Sequence, residues 1–68
     1  MTAPDFRAAL ARLGLSQRAF ARYVRANERT VRRWAEGAQD IPGWVPVMLA
    51  LMEAVRSARS ELIEVSFS

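Results

Sequence analysis

Capping signals cut the first 37 residues of this chain into short helical segments, and that punctuation constrains the fold more than any other feature. Thr2, Ser16 and Asn27 each offer a side-chain oxygen to the unpaired N–H groups that open a helix. Gly14 and Gly37 follow the last apolar residues of two segments, where a left-handed residue closes a helix. Thr2 with Asp5 three positions on makes a capping arrangement, and Phe6, Leu10 and Leu13 follow at helical spacing. A first helix is therefore expected to about Leu13. Leu15 and Phe20 hold the two positions of a hydrophobic staple around Ser16, which sets how the second helix meets the first. Arg25-Ala26-Asn27 interrupts that second pattern, and a third helix is expected from Glu28 to about Glu36.

Beyond Gly37, Pro42 or Pro46 suits the opening turn of a fourth helix, expected over about 43 to 58. The period then changes. Ile63, Val65 and Phe67 alternate with Glu64, Ser66 and Ser68, the pattern of a half-buried strand, expected over about 62 to 67. With 68 residues the chain holds one domain, since chains this short bury only about 60% of their unfolded surface and build one modest core. The expected class is mainly α, four helices with a short C-terminal β-strand.

Composition excludes several kinds of chemistry. Cysteine and histidine are both absent, which removes disulfides, thiolate nucleophiles, the usual zinc sites and the side chain best suited to proton transfer near neutrality. There is no nucleophile–base pair, metal-ligand set or glycine-rich phosphate loop, so neither an enzyme nor a metal or cofactor site is expected. The apolar stretch 41–52 is too short for a membrane span and is interrupted by Pro42, Gly43 and Pro46. Met1-Thr2-Ala3-Pro4-Asp5 has neither a basic leader nor an apolar signal core, which makes a cytoplasmic setting the expectation.

The net charge of +3 conceals a division. All ten basic residues are arginines, and eight of them precede residue 34. Residues 1–35 set eight Arg against Asp5 and Glu28, giving +6, while residues 36–68 set Arg56 and Arg59 against five acids, giving −3. Such asymmetry points to a polyanionic partner for the first half, the alternative being an arginine-rich surface that serves solubility alone.

The third helix sharpens that reading. Val31, Trp34 and Ala35 fall on one side of it, and Glu28, Arg29, Arg32, Arg33 and Glu36 on the other. If the apolar side packs on the first two helices, Arg29 and Arg33 stack four apart on the outward face with Arg32 beside them. Arginine's planar fork donates two hydrogen bonds to guanine O6 and N7, worth about 1–3 kcal/mol of base discrimination per good pair. Glu28 has two readings that stay open: an acceptor from cytosine N4 or a repeller of phosphate, and a charge that stabilises the helix N-terminus. Gln17 and Arg18 open the second helix, where free N–H groups and the helix dipole form a site for a DNA phosphate, with Arg22 and Arg25 extending that contact. For Arg22, exposure for solubility is an equal alternative. Trp34 is read as core, and Trp44, between two prolines, as packing over the loop.

Leu15-Ser16-Gln17-Arg18-Ala19-Phe20-Ala21-Arg22, the turn, and Asn27-Glu28-Arg29-Thr30-Val31-Arg32-Arg33-Trp34-Ala35-Glu36-Gly37 resemble the Cro and lambda-repressor-like (XRE) family of helix-turn-helix proteins. The resemblance covers roughly residues 2–58, with the helix-turn-helix at 16–37. It implies a four-helix lambda-repressor-like DNA-binding domain in which Gln17 contacts phosphate and Glu28, Arg29 and Arg33 face bases. The base-reading set expected on this footing is Glu28, Arg29, Thr30, Arg32 and Arg33. Arg25 stands where that family often has Gly, so the turn here must hold a side chain.

The expected fourth helix is apolar over more of its circumference than one core-facing stripe requires, and a lone strand leaves its backbone groups unpaired. Together these suggest a homodimer joined through Leu62, Ile63, Val65 and Phe67, as in Cro-type proteins, the alternative being a monomer with a frayed tail. The function expected is a sequence-specific regulator of transcription, a dimeric repressor of a phage, mobile-element, toxin–antitoxin or anti-CRISPR-type operon, bound to a palindromic double-stranded operator. The competing expectation is an antitoxin or interaction module whose main target is another protein.

Overall fold

A computed structural model describes the backbone of residues 1–67 and the side chains of residues 1–60. It is mainly helical, with four helices among the described residues: α1 (Ala3–Leu13), α2 (Gln17–Val24), α3 (Glu28–Glu36) and α4 (Trp44–Phe67). The first three begin as their capping residues dictate. Thr2 Oγ1 accepts from the Asp5 N–H at 3.2 Å, Ser16 Oγ from Ala19 at 3.0 Å, and Asn27 Oδ1 from Arg29 at 2.8 Å. They also end alike. A left-handed residue closes each one, Gly14 (φ 66°), Arg25 (φ 56°) and Gly37 (φ 77°). The following N–H then reaches back five residues, Leu15 to Leu10, Ala26 to Ala21 and Ala38 to Arg33, each at 2.9 Å.

Ten residues form the buried core, and every helix contributes: Phe6, Ala9 and Leu10 from α1, Phe20 and Ala21 from α2, Val31, Trp34 and Ala35 from α3, Val45 and Leu49 from α4. Phe6 is the hub. Its ring meets Phe20 edge-to-face at 5.5 Å and Trp34 at 6.1 Å, and Trp34 in turn meets Trp44 at 5.8 Å. Leu15 and Val24 pack half-buried against this cluster, so the staple partners Leu15 and Phe20 belong to one core. Trp34 is thus core, as its spacing from Val31 predicts, although its Nε1 is buried with no hydrogen-bond partner among the described residues.

The fourth helix departs from expectation. It opens at Trp44 with Pro46 in its first turn and the Val45 N–H bonded to Pro42 O at 3.1 Å. It then continues past Ala58 and absorbs the segment 62–67 expected as a strand. The alternation of Ile63, Val65 and Phe67 loses to two physical facts. No glycine or proline follows Pro46 to stop the helix, and a lone strand has no ladder to pair with, whereas a helix satisfies its own backbone. The expected strand is corrected accordingly; the dimer contact expected through Leu62, Ile63, Val65 and Phe67 falls on side chains that lie outside the described residues.

At about 1.5 Å per residue the 24 residues of α4 extend about 36 Å, and the molecule measures 47 × 20 × 17 Å. Among the described residues, those of α4 that pack in or against the core, Val45, Met48, Leu49 and Met52, lie in its first half, which docks chiefly on α1. Arg12 Nε bonds Glu53 Oε1 at 2.7 Å, and Arg56 Nη1 donates to the Arg12 carbonyl. Among the described residues no helix is long and apolar enough to cross a membrane.

Candidate nucleic-acid interface

The outward face of α3 follows from its inward one. Val31, Trp34 and Ala35 are buried against α1 and α2, which leaves Glu28, Arg29, Arg32, Arg33 and Glu36 exposed on the opposite side. Arg29 and Arg33 stack one turn apart there, with Arg32 beside Arg29 on the side away from Arg33. Thr30 is half-buried at the third position of the helix and lies nearer the packed side than its arginine neighbours.

α2 places its own cations beside this face. Arg18 and Arg22 are exposed and four apart, and Arg25 is exposed in the turn that leads to Asn27. Gln17 is half-buried at the first position, next to the N-terminal N–H groups that Ser16 leaves unpaired. One contact joins the two helix starts: Arg18 Nε lies 4.0 Å from Glu28 Oε1, with the side chains 68% and 54% exposed. A pair this open to water is worth about 0–1 kcal/mol and is readily exchanged for another partner. Arg18 is thereby set beside the start of the outward face of α3, while Arg22 on α2 and Arg25 in the turn are exposed as well.

The α2–α3 turn holds an L-residue in a backbone conformation that L-residues seldom adopt. Arg25 sits at φ 56° and ψ 37°, and it is the sole non-glycine residue with positive φ among the described residues. The turn does hold a side chain there, by taking up the left-handed conformation that costs a non-glycine residue about 1–2 kcal/mol.

Two of the eight N-terminal arginines are occupied elsewhere. Arg12 ties α1 to α4. Arg7 Nη1 donates to Ala35 O at 2.6 Å, 28 residues away. At the end of α3, Arg33 O is taken by Ala38 N and Trp34 O by Gly37 N. Arg7 thus supplies a partner to Ala35 O, one of the terminal carbonyls that the helix leaves open, and its positive charge faces the negative end of the helix dipole. Sequence reasoning missed this bond and the Arg12–Glu53 pair, because nothing local marks partners 28 and 41 residues apart.

Comparison with protein-family models, curated proteins and solved structures finds no match to this chain.

Proposed function

We propose that the chain is a sequence-specific double-stranded DNA-binding regulator of the helix-turn-helix type, with α3 as the recognition helix. One observation carries this reading: packing of Val31, Trp34 and Ala35 holds Arg29, Arg32 and Arg33 outward on a single rigid helix, beside the basic start of α2. Two helices joined by a three-residue turn are the unit that sets a helix in the major groove. Arg29 and Arg33 then donate to guanine O6 and N7, with Arg32, Thr30 and Glu28 along the same groove. Gln17 and the open N–H groups of α2 bind a phosphate, and Arg18, Arg22 and Arg25 continue that backbone contact, giving affinity and register without sequence information. Acting as a homodimer on a palindromic operator, the protein needs no cofactor for this task, and regulation follows its own concentration in the cytoplasm.

Selection of a preferred site from random duplexes, followed by titration of Arg33→Ala and Arg18→Ala, tests the reading. Arg33→Ala is expected to cost about 1–3 kcal/mol on the selected site and to relax preference at one base pair. Arg18→Ala weakens selected and random duplexes alike. Equal loss on both for Arg33→Ala sinks the base-reading assignment. A second reading, an antitoxin or interaction module, draws on the apolar surface that α4 leaves exposed. In that case Arg29→Ala with Arg33→Ala leaves capture of the protein partner untouched.

A further inference from the structure

α4 carries more apolar surface than its dock on α1 covers. Val47, Leu51 and Val55 recur every fourth residue and are 61%, 56% and 57% exposed, forming a ridge along consecutive turns. Beside the ridge lies a groove of about 600 Å³, floored by Leu15, Met48 and Met52 and walled by Tyr23 of α2. Single exposed apolar side chains are ordinary, whereas a contiguous patch of them marks an interface. We propose that this face binds a second copy of the chain, two α4 helices crossing antiparallel about a two-fold axis at Leu51.

Shape, charge and area select this occupant. Ridge and groove lie side by side, so one two-fold rotation sets the ridge of each copy into the groove of the other, the self-complementarity that an isologous contact demands. Helices whose ridges and grooves mesh at a crossing angle of about 20° stay in contact over several turns. With the two Leu51 side chains adjacent, Val55 of each copy meets Val47 of the other. The same register brings Arg59 of each copy to the start of the other's α4, where Asp40 is the lone charge in the loop 38–43. A biological interface should clear about 1,000 Å² in total, or about 500 Å² per partner, about a tenth of this chain's 5063 Å². Tyr23, 71% exposed, and Trp44, 45% exposed at the start of the ridge, offer on the order of 250 Å² of this between them. Val47, Leu51, Val55 and the two methionines supply the remainder. The pairing stands by itself; its role on a palindromic operator rests on the DNA-binding reading above.

Sedimentation of the full chain without DNA is the test. The wild type is expected to dimerise at micromolar concentration, and Leu51→Glu to be monomeric with an unchanged far-ultraviolet dichroism spectrum. Arg59→Asp is expected to raise the dimer dissociation constant about tenfold, since two pairs per dimer reverse together, and Asp40→Arg in the same chain to restore it. A monomeric wild type, whether or not another protein occupies the face, overturns the proposal, as does a dimer that survives Leu51→Glu. Failure of the double variant to restore pairing overturns the antiparallel register. Site-selective DNA binding by a monomer would leave the DNA reading standing and remove this one; a dimer blind to DNA sequence would do the reverse.

Discussion

Replacing Arg25 by glycine should make the protein more stable and a poorer DNA binder. Arg25 occupies the left-handed region at φ 56°, where a side chain costs about 1–2 kcal/mol relative to the right-handed helix. Glycine removes that cost but loses about 0.5–1 kcal/mol more backbone entropy on folding. The difference favours Arg25→Gly by about 0.5–1 kcal/mol. For a domain of this size 1 kcal/mol moves the midpoint of thermal unfolding by about 4–8 °C, so a rise of about 2–8 °C is expected. The molecule holds its own control: Gly14 closes α1 in the same conformation, and a Cβ placed there meets nothing within 4 Å. Gly14→Ala should therefore lose about 1 kcal/mol through backbone conformation alone. The cost to function is read from salt dependence. If Arg25 neutralises one phosphate, Arg25→Gly lowers the slope of log K against log salt by about 1. Calorimetry and a binding titration at several salt concentrations measure both effects. A lower melting midpoint for Arg25→Gly would refute the strain argument, and an unchanged salt slope would refute the phosphate contact.

Phe6→Ala removes the ring that joins three helices and should cost about 3–5 kcal/mol, as much as a core this small supplies, so its dichroism spectrum should be that of an unfolded chain at 25 °C. Arg7→Met deprives Ala35 O of a charged donor, and hydrogen exchange should quicken in the last turn of α3 while the amides of α2 keep their protection. Glu28→Gln breaks an exposed 4.0 Å pair and removes a negative charge from the first turn of α3, so stability should fall by no more than about 1 kcal/mol, while affinity for random duplex DNA rises with the loss of a negative charge. Unchanged random-duplex affinity would assign Glu28 to the start of its helix alone.

Much of the fold was legible because its instructions are local. Thr2, Ser16 and Asn27 act on N–H groups two or three residues ahead, so a short window of sequence contains both partners of each cap. The partition of α3 was legible for a similar reason, since Val31, Trp34 and Ala35 share a face by spacing alone. What escaped depended on distance or on competition. Arg7 and Arg12 found partners across the fold, which no periodicity announces. The end of α4 was a contest between a strand-like alternation of seven residues and the momentum of a helix with nothing to break it. Alternation describes which face a strand would bury, but only a neighbouring strand makes that burial available. Arg25 marked the turn as an interruption without revealing its conformation, because the residue there is not the glycine that would have signalled it.

The aromatic chain from Phe20 through Phe6 and Trp34 to Trp44 also equips the molecule with two optical gauges. Trp34 is 3% exposed at the centre of the core, whereas Trp44 is 45% exposed at the edge of the apolar ridge. Water reaching the indole shifts emission to longer wavelength, so the two rings begin from different colours. With Trp44 replaced by phenylalanine, the remaining signal follows unfolding of the core. With Trp34 replaced instead, the emission of Trp44 follows whatever comes to cover α4, and a blue shift on concentrating the protein would record the moment at which that ridge goes dry.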